Sequence, residues 1–141
     1  IRNKKMEAAF VSHTNWNKNK AYPIVVDNSS ALQNKLESTS THKGLTLTAG
    51  GFYGPQGRVL RLKLDDEHLN SKIESFTYEG IRPTNMEMET SAIYGLSKLL
   101  GHHAVSLNAI IANRANGIFS KNPAKVIDTL ITYTLNKITE K

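Results

Sequence analysis

The chain has 141 residues, 39% of them hydrophobic, and no cysteine. That length holds one modest core, and the lack of thiols excludes disulfides, cysteine nucleophiles and cysteine-ligated zinc. Lys and Arg number 18 against 12 Asp and Glu, for a net charge of +6 that suits an anionic partner, but the cations are scattered without interleaved aromatics, so a nucleic-acid surface is not expected.

No run of about 18 apolar residues offers a membrane span, and Ile1-Arg2-Asn3-Lys4-Lys5 leads into no signal-like stretch. The chain therefore reads as soluble and cytoplasmic.

In chain order, short apolar runs alternate with helical patterns, the signature of an α/β protein in one domain. Ala8-Ala9-Phe10-Val11 reads as a strand, and a Lys- and Asn-rich loop follows it. Tyr22 to Val26 reads as an extended approach to a helix capped near Asp27 or Ser29 and running through Leu32 and Leu36. Gly44-Leu45-Thr46-Leu47-Thr48-Ala49 is a strand that Gly50-Gly51 ends, and a long loop comes next. Asp66 to Tyr78 predicts a helix. Thr84 opens another that lasts to Leu100 with Gly101 as its stop, and Ala104 to Ala112 reads as a buried strand. The last helix runs from Pro123 to about Ile138, with Val126, Ile127, Leu130, Ile131, Leu135 and Ile138 at helical spacing. That stripe is expected in the core.

The loop after the Gly44–Ala49 strand carries an aromatic, an amide and a guanidinium in Phe52, Gln56 and Arg58. These supply a stacking face, a donor and acceptor, and a rigid fork of donors, the parts that hold a flat polar ring such as uracil. The competing reading is a Gly-Pro-Gln-Gly turn with Arg58 on the surface. Position at a strand's carboxyl end favours a ligand, since open α/β sheets bind there.

Glu87, Met88 and Glu89 fall just inside the helix expected from Thr84. A carboxylate accepts from vicinal sugar hydroxyls and a thioether packs on a ribose face, whereas Thr84-Asn85-Met86-Glu87 also matches a capping box that would tie Glu87 to the helix start. Arg114 ends the apolar run Leu107 to Ala112, either at a pocket rim or at the start of a solvated loop. The five histidines, His13, His42, His68, His102 and His103, show no ligand spacing, and no Gly-x-Ser-x-Gly elbow anchors a nucleophilic triad. No metal site is expected.

The segment Phe52-Tyr53-Gly54-Pro55-Gln56-Gly57-Arg58 resembles the Phe-Tyr-x-x-Gln-x-Arg motif of uridine phosphorylases. Downstream, Asn85-Met86-Glu87-Met88-Glu89-Thr90-Ser91-Ala92 and then Ile110-Ile111-Ala112-Asn113-Arg114 are similar to two further motifs of that family, in the same order. The resemblance implies a three-layer α/β/α nucleoside phosphorylase-like fold, of which residues 1–141 form the C-terminal portion of a single domain. It implies that Gln56 and Arg58 bond the uracil ring and stabilise it as a leaving group, and that Phe52 packs on the nucleoside. Met88 and Glu89 would hold the ribose, Glu87 would support them, and Arg114 would support the base pocket. The reaction would be phosphorolysis of uridine to uracil and ribose 1-phosphate, with phosphate as co-substrate and no cofactor. Purine-specific relatives place an Asp after the corresponding late strand; Ala112-Asn113-Arg114 has none, which favours a pyrimidine.

The family's Gly-rich strand ends and phosphate-binding arginines have no counterpart in this sequence. Expected partners are therefore the N-terminal half of the same fold and further copies, as a dimer or hexamer, and the chain alone is expected to lack phosphorolytic activity. A non-catalytic nucleoside-binding remnant and a phosphate-independent nucleosidase are the alternatives. An incomplete sheet is also expected to expose an unpaired edge and apolar helix faces.

Overall fold

The computed structural model describes residues 2–113 and 116–140. In chain order the elements are α1 (Lys4–Thr14), α2 (Ser30–Leu36), β1 (Leu45–Thr48), α3 (Leu69–Ser75), β2 (Pro83–Glu87), α4 (Thr90–Leu99), β3 (Ala112–Asn113), β4 (Ile118–Phe119) and α5 (Pro123–Thr139). Helices and strands are thus mixed, with one small parallel and one small antiparallel sheet. The chain divides into two compact units, residues 1–27 with 42–102 and residues 28–41 with 103–141.

The first unit holds the apolar core. Met6 and Phe10 of α1, Leu69 and Ile73 of α3, and Phe76 are buried together, and Phe10 meets Phe76 edge to face at 5.2 Å. Residues 8–11, expected as a strand, are the middle of α1. A four-residue apolar run fits either period, and here Met6 and Phe10, one helical turn apart, supply the buried face. The Asn3 side chain caps the first turn by accepting from the Met6 N–H at 3.1 Å.

Glu7 lies on the same helix and is only 2% exposed. Its carboxylate accepts from Arg2 Nε at 2.9 Å and Arg2 Nη2 at 2.7 Å, and from the Val25 N–H at 2.9 Å. The three bonds tie α1 to the extended segment before α2, a fork geometry that repays the burial of the carboxylate.

Pro83–Glu87, expected as the opening of a helix, is strand β2, and α4 begins only at Thr90. The Thr84–Glu87 capping-box pattern is overridden by parallel pairing with β1, which lies some 40 residues earlier. Alternation explains the outcome: Leu45, Leu47 and Met86 pack on the core while Thr46, Thr48, Asn85 and Glu87 fall between them along the strands. The pairing runs Leu45 to Pro83, then Thr46 to Asn85, Leu47 to Met86 and Thr48 to Glu87, so Thr84 is an extra residue without a partner. Gly44 sits against it, and a Cβ at Gly44 would overlap the Thr84 side chain.

α3 is shorter than the expected Asp66–Tyr78 helix, because Phe76 turns extended after the last turn while residues 66–68 are held by the Asp66 carboxylate on the His68 N–H. α4 ends as expected at Gly101, whose φ is +76°.

In the second unit, Ser29 caps α2 through its hydroxyl, and Tyr133 of α5 donates to the Leu36 carbonyl at 2.6 Å. Ala104–Ala112, expected as a buried strand, forms no strand up to residue 111; only Ala112 and Asn113 pair, antiparallel with Phe119 and Ile118. Apolar content marks a strand only where a neighbouring edge accepts its N–H and C=O groups. α5 spans the expected range, with Asn122 capping its first turn. Its apolar stripe is not core, however: Ile131 and Leu135 are 52% and 53% exposed, and no described residue of α5 is buried. Periodicity fixes which face is apolar, and burial depends on what lies against that face.

Candidate functional site

Because β1 and β2 are parallel, their carboxyl ends lie side by side. Thr48 is opposite Glu87, and the Ala49 N–H continues the ladder onto the Glu87 carbonyl at 2.9 Å. The loop from Gly50 to Arg58 leaves one strand end and Met88-Glu89 leaves the other. In the first unit two of the three sequence motifs thus start from the same end of one sheet.

The loop turns through a short 3₁₀ segment, Gly54–Gln56. The Tyr53 carbonyl accepts from the N–H groups of both Gln56 and Arg58, at 3.0 and 2.9 Å. Gly57 closes the turn at φ +71°, and its missing side chain leaves room for Asn70, which donates to the Gln56 carbonyl at 3.3 Å.

This turn folds Arg58 back over Phe52. The guanidinium carbon lies 3.6 Å from the centroid of the Phe52 ring, and Nη1 donates to the Phe52 carbonyl. Tyr53 meets Phe52 edge to face at 5.2 Å. Phe52 and Tyr53 are half exposed, whereas Gln56 is 7% exposed. Phe52 and Arg58 therefore form one stacked cationic pair with the Phe52 ring half exposed, and Gln56 is buried in the same turn. A guanidinium is a flat, fixed fork of donors, the geometry that suits a planar, carbonyl-bearing ligand.

At the other strand end the two glutamates differ. Glu87 Oε2 accepts from the N–H groups of Glu89 and Thr90 at 2.7 and 2.6 Å, capping α4 from the end of β2. Its Oε1 accepts from the Thr48 hydroxyl at 2.5 Å. Burial raises the Glu87 pKa, but the hydrogen bonds from Thr48, from the N–H groups of Glu89 and Thr90 and from the Thr90 side chain outweigh it, so the carboxyl titrates below the usual glutamate range. Glu89 occupies the N-cap position of α4 without a side-chain cap bond, and it and Met88 are exposed. Met88 and Glu89 are thus open to a ligand, and Glu87 is committed to the fold.

Thr48 and Asn70 were not legible as site residues, because their parts depend on strand register and on the Gly57 turn. Arg114 lies outside the described residues. Among the described residues no group of three or more His, Asp or Glu side chains is arranged to hold a metal ion, and no helix is long and apolar enough to cross a membrane. The chain matches no protein-family model, no curated protein and no solved structure.

Proposed function

We propose that this chain carries the base and ribose recognition of a uridine phosphorylase, a pentosyltransferase that converts uridine and phosphate to uracil and ribose 1-phosphate. The observation that supports this reading is that the loop carrying Phe52 and Arg58 and the Met88–Glu89 segment leave the adjacent carboxyl ends of two paired parallel strands, where ligands of α/β sheets bind. On this reading uracil lies against the Arg58–Phe52 pair, Gln56 reads its edge, and Glu89 accepts from the ribose hydroxyls beside Met88.

Phosphate displaces uracil from C1′ of the ribose. The base departs with the electron pair of the glycosidic bond and gathers negative charge on its ring and carbonyl oxygens. Donors on Arg58 and Gln56 stabilise that charge more than they stabilise neutral bound uridine, and this differential lowers the barrier. The three-layer α/β/α fold, the assembly with further subunits, the N-terminal partner half and the cytoplasmic setting belong to the same reading.

Uridine, uracil and adenosine titrated into the purified protein test it. Binding of uridine and uracil without adenosine supports the reading, and binding of none overturns it. Adding inorganic phosphate together with the N-terminal half of the fold then separates mechanisms: uracil release that requires phosphate marks a phosphorylase, release without it a nucleosidase, and binding without release a non-catalytic receptor.

A further inference from the structure

We infer that the Thr48 hydroxyl is the positioning residue for the ribose end of this site, locking the Glu87 carboxylate to the start of α4 and so fixing the Met88–Glu89 elbow. The inference rests on the nucleoside reading for the ligand, but its geometry stands on the fold alone.

Thr48 Oγ1 does two things at once. It donates to Glu87 Oε1 at 2.5 Å and accepts from the Ser91 N–H at 2.9 Å. Glu87 Oε2 meanwhile holds the N–H groups of Glu89 and Thr90. Three successive N–H groups at the start of α4, those of Glu89, Thr90 and Ser91, are thereby satisfied by two side chains standing opposite each other on paired strands. With its only proton given to Glu87 and an N–H bonded from Ser91, the hydroxyl has a defined orientation, and the carboxylate has no rotational freedom left. The elbow between β2 and α4 is only Met88 and Glu89 long. With both of its ends pinned, the exposed Met88 and Glu89 side chains are held at a set spacing from the loop that leaves β1 just after Thr48.

The neighbouring pair shows what the arrangement adds. Thr46 donates to the Asn85 side chain at 2.9 Å in the same cross-strand fashion, yet among the described residues that pair bonds no helix terminus. The pair at the strand ends, by contrast, bonds the sheet to the start of α4. Pre-set geometry raises affinity by removing the ordering cost at binding, so the loss of this coupling falls on the sugar and spares the base.

The test compares the full chain with Thr48→Val, which keeps the shape and removes the hydroxyl, and Thr48→Ser, which keeps the hydroxyl. Carboxyl titration of Glu87 and the amide signals of Glu89, Thr90 and Ser91 are followed by NMR, with affinities for uridine and for uracil measured alongside. Thr48→Val is expected to raise the Glu87 titration midpoint, shift the three amides and weaken uridine by about tenfold with uracil unchanged. Thr48→Ser is expected to restore all of these, and circular dichroism on both variants checks that the fold persists. Unchanged uridine affinity in Thr48→Val, or equal losses for uridine and uracil, overturns the positioning role. A wild-type protein that binds neither ligand instead overturns the nucleoside reading, and the ribose role with it.

Discussion

Arg58 covers the ring of its own neighbour Phe52 at 3.6 Å while bonding that residue's carbonyl, so the two side chains present a single surface. Arg58→Lys keeps the charge but loses the flat fork, and is expected to weaken uracil and uridine by about tenfold or more, measured by calorimetric titration. Lys63→Ala, an exposed cation a few residues on, is expected to change neither. Equal losses from the two substitutions would show that the loop contributes charge alone.

Glu7 gives the fold an acid-sensitive tie. The hydrogen bond from Arg2, helped by the Val25 N–H and opposed by burial, holds its carboxyl below the usual glutamate range. A depressed native pKa contributes stability that is fully present above the unfolded value of about 4.3 and is lost as pH falls through the native value. Glu7→Gln should therefore lower the melting temperature at pH 7 and flatten its decline between about pH 5 and about pH 3. Glu7→Ala should cost about 2 kcal/mol near neutrality. A variant whose acid limb matches the wild type would show that another carboxyl governs it.

Gly57 is tested by its backbone and by its neighbour. At φ +71° any side chain is strained, and a Cβ would overlap the Asn70 amide. Gly57→Ala should destabilise by about 1–2 kcal/mol in urea, and adding Asn70→Ala should recover the steric part but not the backbone part. Full recovery would mean that the backbone conformation costs nothing here.

The two apolar stripes make opposite predictions. Phe10 lies in the core, and Phe10→Ala should cost about 3–5 kcal/mol. Ile131 is half exposed, and Ile131→Ala should cost less than about 1 kcal/mol. A large loss at Ile131 in dilute solution would show that the α5 stripe is covered in the folded molecule.

What could be read from the sequence depended on how local the signal was. Ser29 before α2 and Pro123 with the α5 period act within a turn or two of themselves, and those elements form where expected, while Gly101 marks the end of α4 but nothing local marks its start at Thr90. Ala8–Val11 is too short to separate a strand from one buried face of a helix, and only Leu69, Ile73 and Phe76, some 60 residues on, decide it. Thr84–Glu87 carries a helix-start signal, yet the competing strand is selected by β1. At the candidate site, Phe52, Arg58, Met88 and Glu89 were legible as chemistry. That Glu87 caps a helix, and that Thr48 helps it, follows from a register no local pattern encodes.

The unpartnered Thr84 has a bearing on how this sequence can change length. It interrupts the β1–β2 alignment before Thr46 meets Asn85, so the three pairs that end at Thr48 and Glu87 are counted from the far side of the interruption. A residue gained or lost in the turn around Glu79 and Gly80 can be absorbed at Thr84 without moving Glu87 from Thr48. One gained between Asn85 and Glu87 has no such refuge, and would exchange the side chains facing the core with those at the strand ends. Insertions are thus tolerable on one side of a single residue and ruinous on the other.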